Sequence, residues 1–244
     1  MRVGRFGDET VSDVQAGWQS GDGAAPVDTG CPPRPWMCRA AKRSLDLAVS
    51  LLGLLVLGLP MLLIAAAIRI ESPGAAIFRQ RRAGLHGRPF VMWKLRTMRA
   101  NVDAYGGSPR SGADPRLTRV GRWLRETSLD ELPQLLNVLT GRMSLVGPRP
   151  LYERQAELWG ARQRHRLDVP PGITGYAQAY GRASMLLEDK IEFDLYYVRH
   201  ASLRLDAAIL ARTVANVLTR RGEDVYENRY SREKEREAPS AAAS

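Results

Sequence analysis

The stretch LAVSLLGLLVLGLPMLLIAAAI, Leu47 to Ile68, decides how this chain is read. Its 22 residues carry no charge. At about 1.5 Å of rise per residue such a helix measures about 33 Å, enough to cross a bilayer core of about 30 Å. The alternative is a core helix buried on all sides, but a domain of this size rarely encloses one so long. Arg39, Lys42 and Arg43 precede the run; Arg69, Arg79, Arg81 and Arg82 follow it. Basic residues collect on cytoplasmic flanks, and here both flanks are basic. Gly53, Gly58 and Pro60 interrupt the middle. Proline lacks a backbone donor and clashes with the carbonyl four residues back, so a kink is expected near Leu57–Pro60. Two positive flanks and a central break favour a helix that enters, bends and returns to the same side. A straight span is the competing topology.

The remainder of the chain is polar. Its 244 residues carry a formal charge of +10, with 25% charged and 44% hydrophobic residues. The pI near 10.1 and mean hydropathy of -0.28 describe a basic protein whose average hides one apolar segment. Such a charge calls for anionic partners: lipid headgroups, phosphorylated substrates or nucleic acid. Arg79, Arg81, Arg82, Arg88, Lys94, Arg96 and Arg99 crowd the segment after the apolar run. They read as a face on anionic lipid, as a pyrophosphate cradle, or as both. No helix-turn-helix, RNP or zinc-finger pattern supports nucleic acid. Cys31 and Cys38 lack zinc-ligand spacing, His86, His165 and His200 are scattered, and no Walker A loop or Rossmann fingerprint occurs.

Four regions are expected: a disordered leader over 1–38, the membrane segment with its basic flanks over 39–70, a catalytic domain over 71–222, and a flexible charged tail over 223–244. The leader does not read as a signal peptide, because the apolar run begins too late and is too long. Asp206 to Leu218 carries apolar residues at Ile209, Leu210, Val214, Val217 and Leu218, the spacing of an amphipathic helix. Core packing is its default role and the membrane interface its rival.

The densest chemical signal is TSLDELPQLLNVLTGRMSLVGPRP, Thr127 to Pro150. Ser128 and Glu131 match a capping box, and Leu132, Leu135, Leu136 and Leu139 predict a buried helical stripe closed by Gly141. That places Asp130 and Glu131 in a helical first turn, which favours negative charge. Both residues could serve only as helix-start chemistry. Alternatively, one carboxylate attacks phosphorus while its neighbour holds Mg²⁺. Pro148 and Pro150 stiffen the backbone around Arg149, whose fork suits phosphate oxygens.

With these motifs in view, the chain resembles the bacterial sugar transferases, the monotopic polyprenyl-phosphate phosphoglycosyl transferases. The resemblance runs through KRSLD at Lys42–Asp46, the Pro-broken helix, FRQRRAGLHGRPFVMWKLRTM at Phe78–Met98 and DPRLTRVGRWLRETSLDELPQLLNVL at Asp114–Leu139. It continues through MSLVGPRP at Met143–Pro150, PGITGYAQAYGR at Pro171–Arg182 and EFDLYYV at Glu192–Val198, and covers about residues 40–222.

The resemblance implies a fold that is predominantly α with little β: a re-entrant helix-break-helix, plus a compact cytosolic catalytic domain with amphipathic interfacial helices. It implies Mg²⁺-dependent transfer of a sugar-1-phosphate from a UDP-sugar to polyprenyl (undecaprenyl) phosphate at the cytoplasmic face of the cell membrane. UMP leaves, and polysaccharide or glycoconjugate assembly begins. Asp130 would be the nucleophile and Glu131 the metal ligand. Arg149, Lys94, Arg96, Arg182 and Asp194 are substrate-binding candidates, although Glu192 and Asp194 could instead lock arginines in a buried network. Anionic lipid and a second copy of the chain are compatible partners. A non-catalytic membrane adaptor is the alternative function. Leu59, Arg142 and Pro170 depart from the family pattern, which often has Ser, an acidic residue and a basic residue at these places.

Overall fold

The computed structural model describes residues 36–102, 109, 111–157, 159–181 and 187–219. Of the leader expected over 1–38, residues 1–35 lie outside the described residues, as do the tail over 223–244 and Arg182.

Helix α1, Trp36–Glu71, is 36 residues long and contains the whole apolar run and both immediate basic flanks. It stays helical through Pro60. A proline removes one hydrogen bond and displaces one carbonyl, and a long helix can absorb both. Leu52, Leu55, Val56, Leu59, Leu62 and Leu63 are 62–74% exposed, which removes the buried core helix as a reading. The segment is long and apolar enough to cross a membrane.

The two ends of α1 are held while its middle is bare. At the C-terminal end, Ile68 packs with Ala76, Leu95 and Leu124, flanked by Ile64 and Ala65. The next elements are the antiparallel strands β1, Ile77–Ala83, and β2, Pro89–Leu95. His86 and Gly87 turn between them with positive φ. Helix α2, Arg119–Glu126, starts at Thr118, whose hydroxyl accepts from Gly121 N at 2.9 Å. The Glu71 carboxylate also accepts the N–H groups of Arg119 and Val120, at 2.6 and 2.9 Å, and so caps α2 from the foot of α1. Gly121 lies against the backbone of Thr97, where an added Cβ would come within 1.9 Å of the carbonyl oxygen. Only glycine allows that approach.

Beyond α2 come a 3₁₀ turn over Leu129–Glu131 and helix α3, Gln134–Leu139. Strand β3, Ser144–Val146, pairs in parallel with β4, Gly172–Thr174. Short helices α4 (Glu153–Glu157), α5 (Ala161–Arg164) and α6 (Tyr176–Tyr180) lead to α7, Leu187–His200, and α8, Leu203–Thr219. The architecture is mostly helical with two small sheets, as expected.

These later elements hold the N-terminal end of α1. Lys42 pairs with Asp206 of α8 at 2.8 Å. Arg43 donates to the Val138 and Leu139 carbonyls at the end of α3, at 2.7 and 2.9 Å. Asp46 accepts from Leu145 N at 3.1 Å. Tyr197 OH reaches Asp206 at 2.7 Å, which gives that buried carboxylate a second partner.

Two patterning expectations change. In α3, Leu135 and Val138 are buried together with the polar Gln134 and Asn137, whereas Leu136 is exposed and Leu132 and Leu139 are only half-buried. The predicted leucine stripe is therefore rotated, because α3 packs on three neighbours, α1, β2 and β3, rather than on one apolar face. In α8 Ile209 is fully buried, but Val214, Val217 and Leu218 are exposed. Core packing accounts for only part of this helix.

Candidate functional site

The capping box is not formed. Ser128 adopts the left-handed conformation, with φ 58°, and its side chain makes no capping hydrogen bond. Asp130 and Glu131 lie in the separate 3₁₀ turn, and α3 begins only after Pro133. The helix-dipole argument for their ionisation therefore fails, since the six-residue α3 starts beyond them. Proline suits the start of a helix and blocks its backward extension. Gly141 does terminate the segment, with φ 76° and its N–H on the Val138 carbonyl.

Side-chain charges replace the dipole. Lys94 Nζ donates to Glu131 Oε1 at 2.6 Å, and Arg149 Nη2 donates to the same oxygen at 2.8 Å. Lys94 comes from β2 and Arg149 from the Pro148–Pro150 segment, so three separate parts of the chain converge. Asn137 of α3 aligns them. Its Oδ1 accepts from Trp93 N at 3.1 Å and its Nδ2 donates to the Val91 carbonyl at 2.8 Å, fixing β2 against α3.

The two carboxylates are driven apart in acidity. Burial pushes Glu131 upward, but the charges and hydrogen bonds of Arg149 and Lys94 outweigh it and hold its carboxyl far below the usual range. Arg149 is raised in turn, chiefly by Glu131. Asp130 is buried at 8% exposure. That burial pushes it above the usual range; Lys94 pulls it down, Glu131 pushes it up, and Arg125 and Arg149 pull it down. One carboxylate is thus committed to two cations, while its neighbour is desolvated and more basic. Adjacent carboxyls whose environments separate their acidities are suited to different roles.

The other predicted residues lie elsewhere. Arg96 donates to the carbonyls of Ser72 and Pro73, where it closes the foot of α1. Asp194 is fully buried and paired with Arg166, which also donates to the Arg149 carbonyl at 2.9 Å. Burial pushes Asp194 up to about 6 against the pull of Arg166. Glu192 pairs with Arg162 at 2.6 Å. Both acids pair with arginines, but only Asp194 does so in a buried network, behind Arg149, whereas the Arg162–Glu192 pair lies at the surface. Pro60 lies within α1, and Arg182 is outside the described residues. Leu59 is exposed, as is Arg142, while the Pro171 carbonyl accepts from Ser144 N at 2.9 Å.

Sequence reading missed Asn137 and Arg166, since a single amide or arginine inside a helical pattern carries no motif. It placed Arg82 in a basic run without singling it out. Arg82 stacks on the Tyr152 ring at 3.8 Å and donates to the Pro150 carbonyl at 3.2 Å, beside the Arg149 segment.

Among the described residues no cluster of three or more His, Cys, Asp or Glu side chains could cage a metal alone. Mg²⁺ does not require one, because it is commonly held by one or two carboxylates and substrate phosphates. Both cations bind Glu131 through Oε1, which leaves its second carboxylate oxygen as the hard ligand for such an ion.

Fold and site define a class: a helical protein bearing one long exposed apolar helix, with a paired-carboxylate, cation-lined centre beside it. The sequence model described as Bacterial sugar transferase matches residues 37–220, and the chain belongs to the bacterial sugar transferase family. It is 43% identical over 181 residues to the uncharacterized sugar transferase EpsL of Bacillus subtilis, covering 74% of this chain and 89% of that protein. It is 46% identical over 187 residues to a UDP-glucose:undecaprenyl-phosphate glucose-1-phosphate transferase of Caulobacter vibrioides, covering 73% and 70%. An Aeromonas hydrophila UDP-N-acetylgalactosamine-undecaprenyl-phosphate N-acetylgalactosaminephosphotransferase is 37% identical over 188 residues, covering 73% of this chain and 44% of that protein. The chain is an enzyme of the phosphoglycosyl transferase type.

Proposed function

We propose that this enzyme transfers a sugar-1-phosphate from a UDP-sugar to polyprenyl phosphate, through a covalent phosphosugar on Asp130. The observation that carries the reading is the convergence of Lys94 and Arg149 on Glu131 beside a desolvated Asp130. An Asp130 carboxylate oxygen attacks the sugar-linked phosphorus. The bridging P–O bond breaks and UMP leaves with its electron pair. A phosphate oxygen of polyprenyl phosphate then attacks the same phosphorus, the acyl-phosphate bond breaks, and the carboxylate is restored. The acceptor oxygen is already anionic, so the second step needs no strong general base. Arg149 is a permanently charged donor for phosphate oxygens, held from behind by Arg166. Mg²⁺ held by Glu131 would neutralise pyrophosphate charge and let the anionic Asp130 nucleophile approach. The relatives named for their donors act on both UDP-glucose and UDP-N-acetylgalactosamine, so the family reading leaves the sugar open.

The reading also places α1 as a re-entrant membrane element with the domain on the cytoplasmic face. Support comes from its ends. Lys42, Arg43 and Asp46 bind α8, α3 and β3, while Ile68 and Glu71 bind the hairpin and α2. All of these belong to polar structure that cannot enter hydrocarbon, whereas the bare middle of α1 can. The exposed Val214, Val217 and Leu218 of α8 suit an interfacial position.

The test is Asp130→Asn in purified protein with UDP-sugars, polyprenyl phosphate and Mg²⁺. UMP release is expected to vanish while membrane association persists. Undiminished turnover would overturn the nucleophile assignment.

A further inference from the structure

The alternation of β1 sets Gln80 and Arg82 on the inner face of the hairpin, with Arg79 and Arg81 outward. Across the register Phe78 faces Lys94 and Gln80 faces Met92, so Arg82 shares a face with the lysine that binds Glu131. Arg81 has a surface carboxylate partner in Glu153 at 3.1 Å. Among the described residues Arg82 has none.

Its neighbours are dipoles and a ring. Nε and Nη2 donate to Gln80 Oε1, and Nη1 donates to the Pro150 carbonyl at 3.2 Å. The guanidinium lies over Tyr152 at 3.8 Å, and Gln80 Nε2 donates to the Tyr152 hydroxyl at 3.3 Å. The backbone joins the same arrangement: Ala83 N donates to the Leu151 carbonyl at 3.1 Å, and Arg82 bridges to Tyr152. Three bonds leave two of the five guanidinium N–H groups outside this set. Burial, aided by the nearby positive Arg149, lowers Arg82 to about 10 against the opposing pull of Tyr152 and Glu131. A cation desolvated beside another cation, with no carboxylate of its own, is an unfavourable arrangement in the empty protein. An incoming anion relieves it, and a fork already locked by three partners needs little reorganisation to bind one.

We propose that Arg82 is a substrate-binding residue, donating to a phosphate oxygen alongside Arg149. The anion is a phosphate of the nucleotide donor or of the lipid acceptor, which share this chemistry. The inference deepens the transferase reading and rests on it only for the identity of the substrate.

The experiment compares wild type, Arg82→Gln, Arg82→Lys and the outward-facing control Arg79→Gln, each purified in lipid nanodiscs and checked by thermal melting. Calorimetric titration with inorganic pyrophosphate is the first readout. Loss of a charge-assisted hydrogen bond is expected to weaken binding about tenfold or more in Arg82→Gln, with partial recovery in Arg82→Lys and none of this effect in Arg79→Gln. The KM values for UDP-sugar and polyprenyl phosphate form the second readout: a rise in the first assigns Arg82 to the donor, in the second to the acceptor. Unchanged pyrophosphate affinity and unchanged KM values in a folded Arg82→Gln overturn the proposal while leaving the transferase reading intact. Arg82-dependent pyrophosphate binding in a protein that turns over no UDP-sugar would do the reverse.

Discussion

Asp130 and Glu131 are adjacent in sequence, and their acidities are shifted in opposite directions. Glu131 is held ionised by Lys94 and Arg149, whereas Asp130 is pushed upward by burial and by Glu131 itself. As the proposed nucleophile Asp130 must be deprotonated, so the acid limb of kcat/KM is expected above the ordinary aspartate value of about 4. Lys94 is the largest of the charges that lower Asp130. Lys94→Met should therefore move the acid limb to still higher pH, as a pH–rate profile would read directly. An unmoved limb would mean that Lys94 does not set the charge state of Asp130. At this scale the sequence singled out Asp130, Glu131 and Arg149, because an acidic pair and a proline-flanked arginine stand out in one dimension. It gave the wrong cause for their ionisation. The capping geometry depended on Ser128 being extended, and the chain instead turns left-handed there.

Helix α3 and strand β2 meet through one amide. Asn137 satisfies one donor and one acceptor on β2, and it is 2% exposed. Asn137→Ala would strand both backbone groups and is expected to cost about 1–3 kcal/mol in stability, measured by thermal or denaturant unfolding. Turnover should fall as well, because the Lys94–Glu131 contact spans the same joint. A stability change below about 0.5 kcal/mol would show that the joint is held by apolar packing instead. Among elements, α1 and α8 were legible from their period and composition. The orientation of α3 was not, since its buried face includes Gln134 and Asn137, which a hydrophobicity pattern assigns to solvent. Arg96 and Asp194 show the same limit: charge in a motif-rich segment suggests substrate, yet one closes α1 and the other pairs with Arg166.

For the whole molecule the decisive question is how α1 meets the bilayer. With both ends tied to the same polar domain, tags placed before Lys42 and after Leu218 are expected to be protected together from protease added outside intact cells. Exposure of one tag alone would establish a spanning helix. The sequence by itself determined that one helix is long and apolar enough to enter a membrane and that it belongs to a mostly helical sugar transferase. Both follow from local information: an uncharged run long enough for hydrocarbon, and motifs whose order survives without coordinates. Only the tertiary structure decided which charges face one another. Lys94 lies 37 residues from Glu131 and Arg149 lies 18 away. Asp206 lies 164 residues from Lys42. Electrostatic energy depends on distance through space and on desolvation, and neither is written in the spacing of residues along a chain.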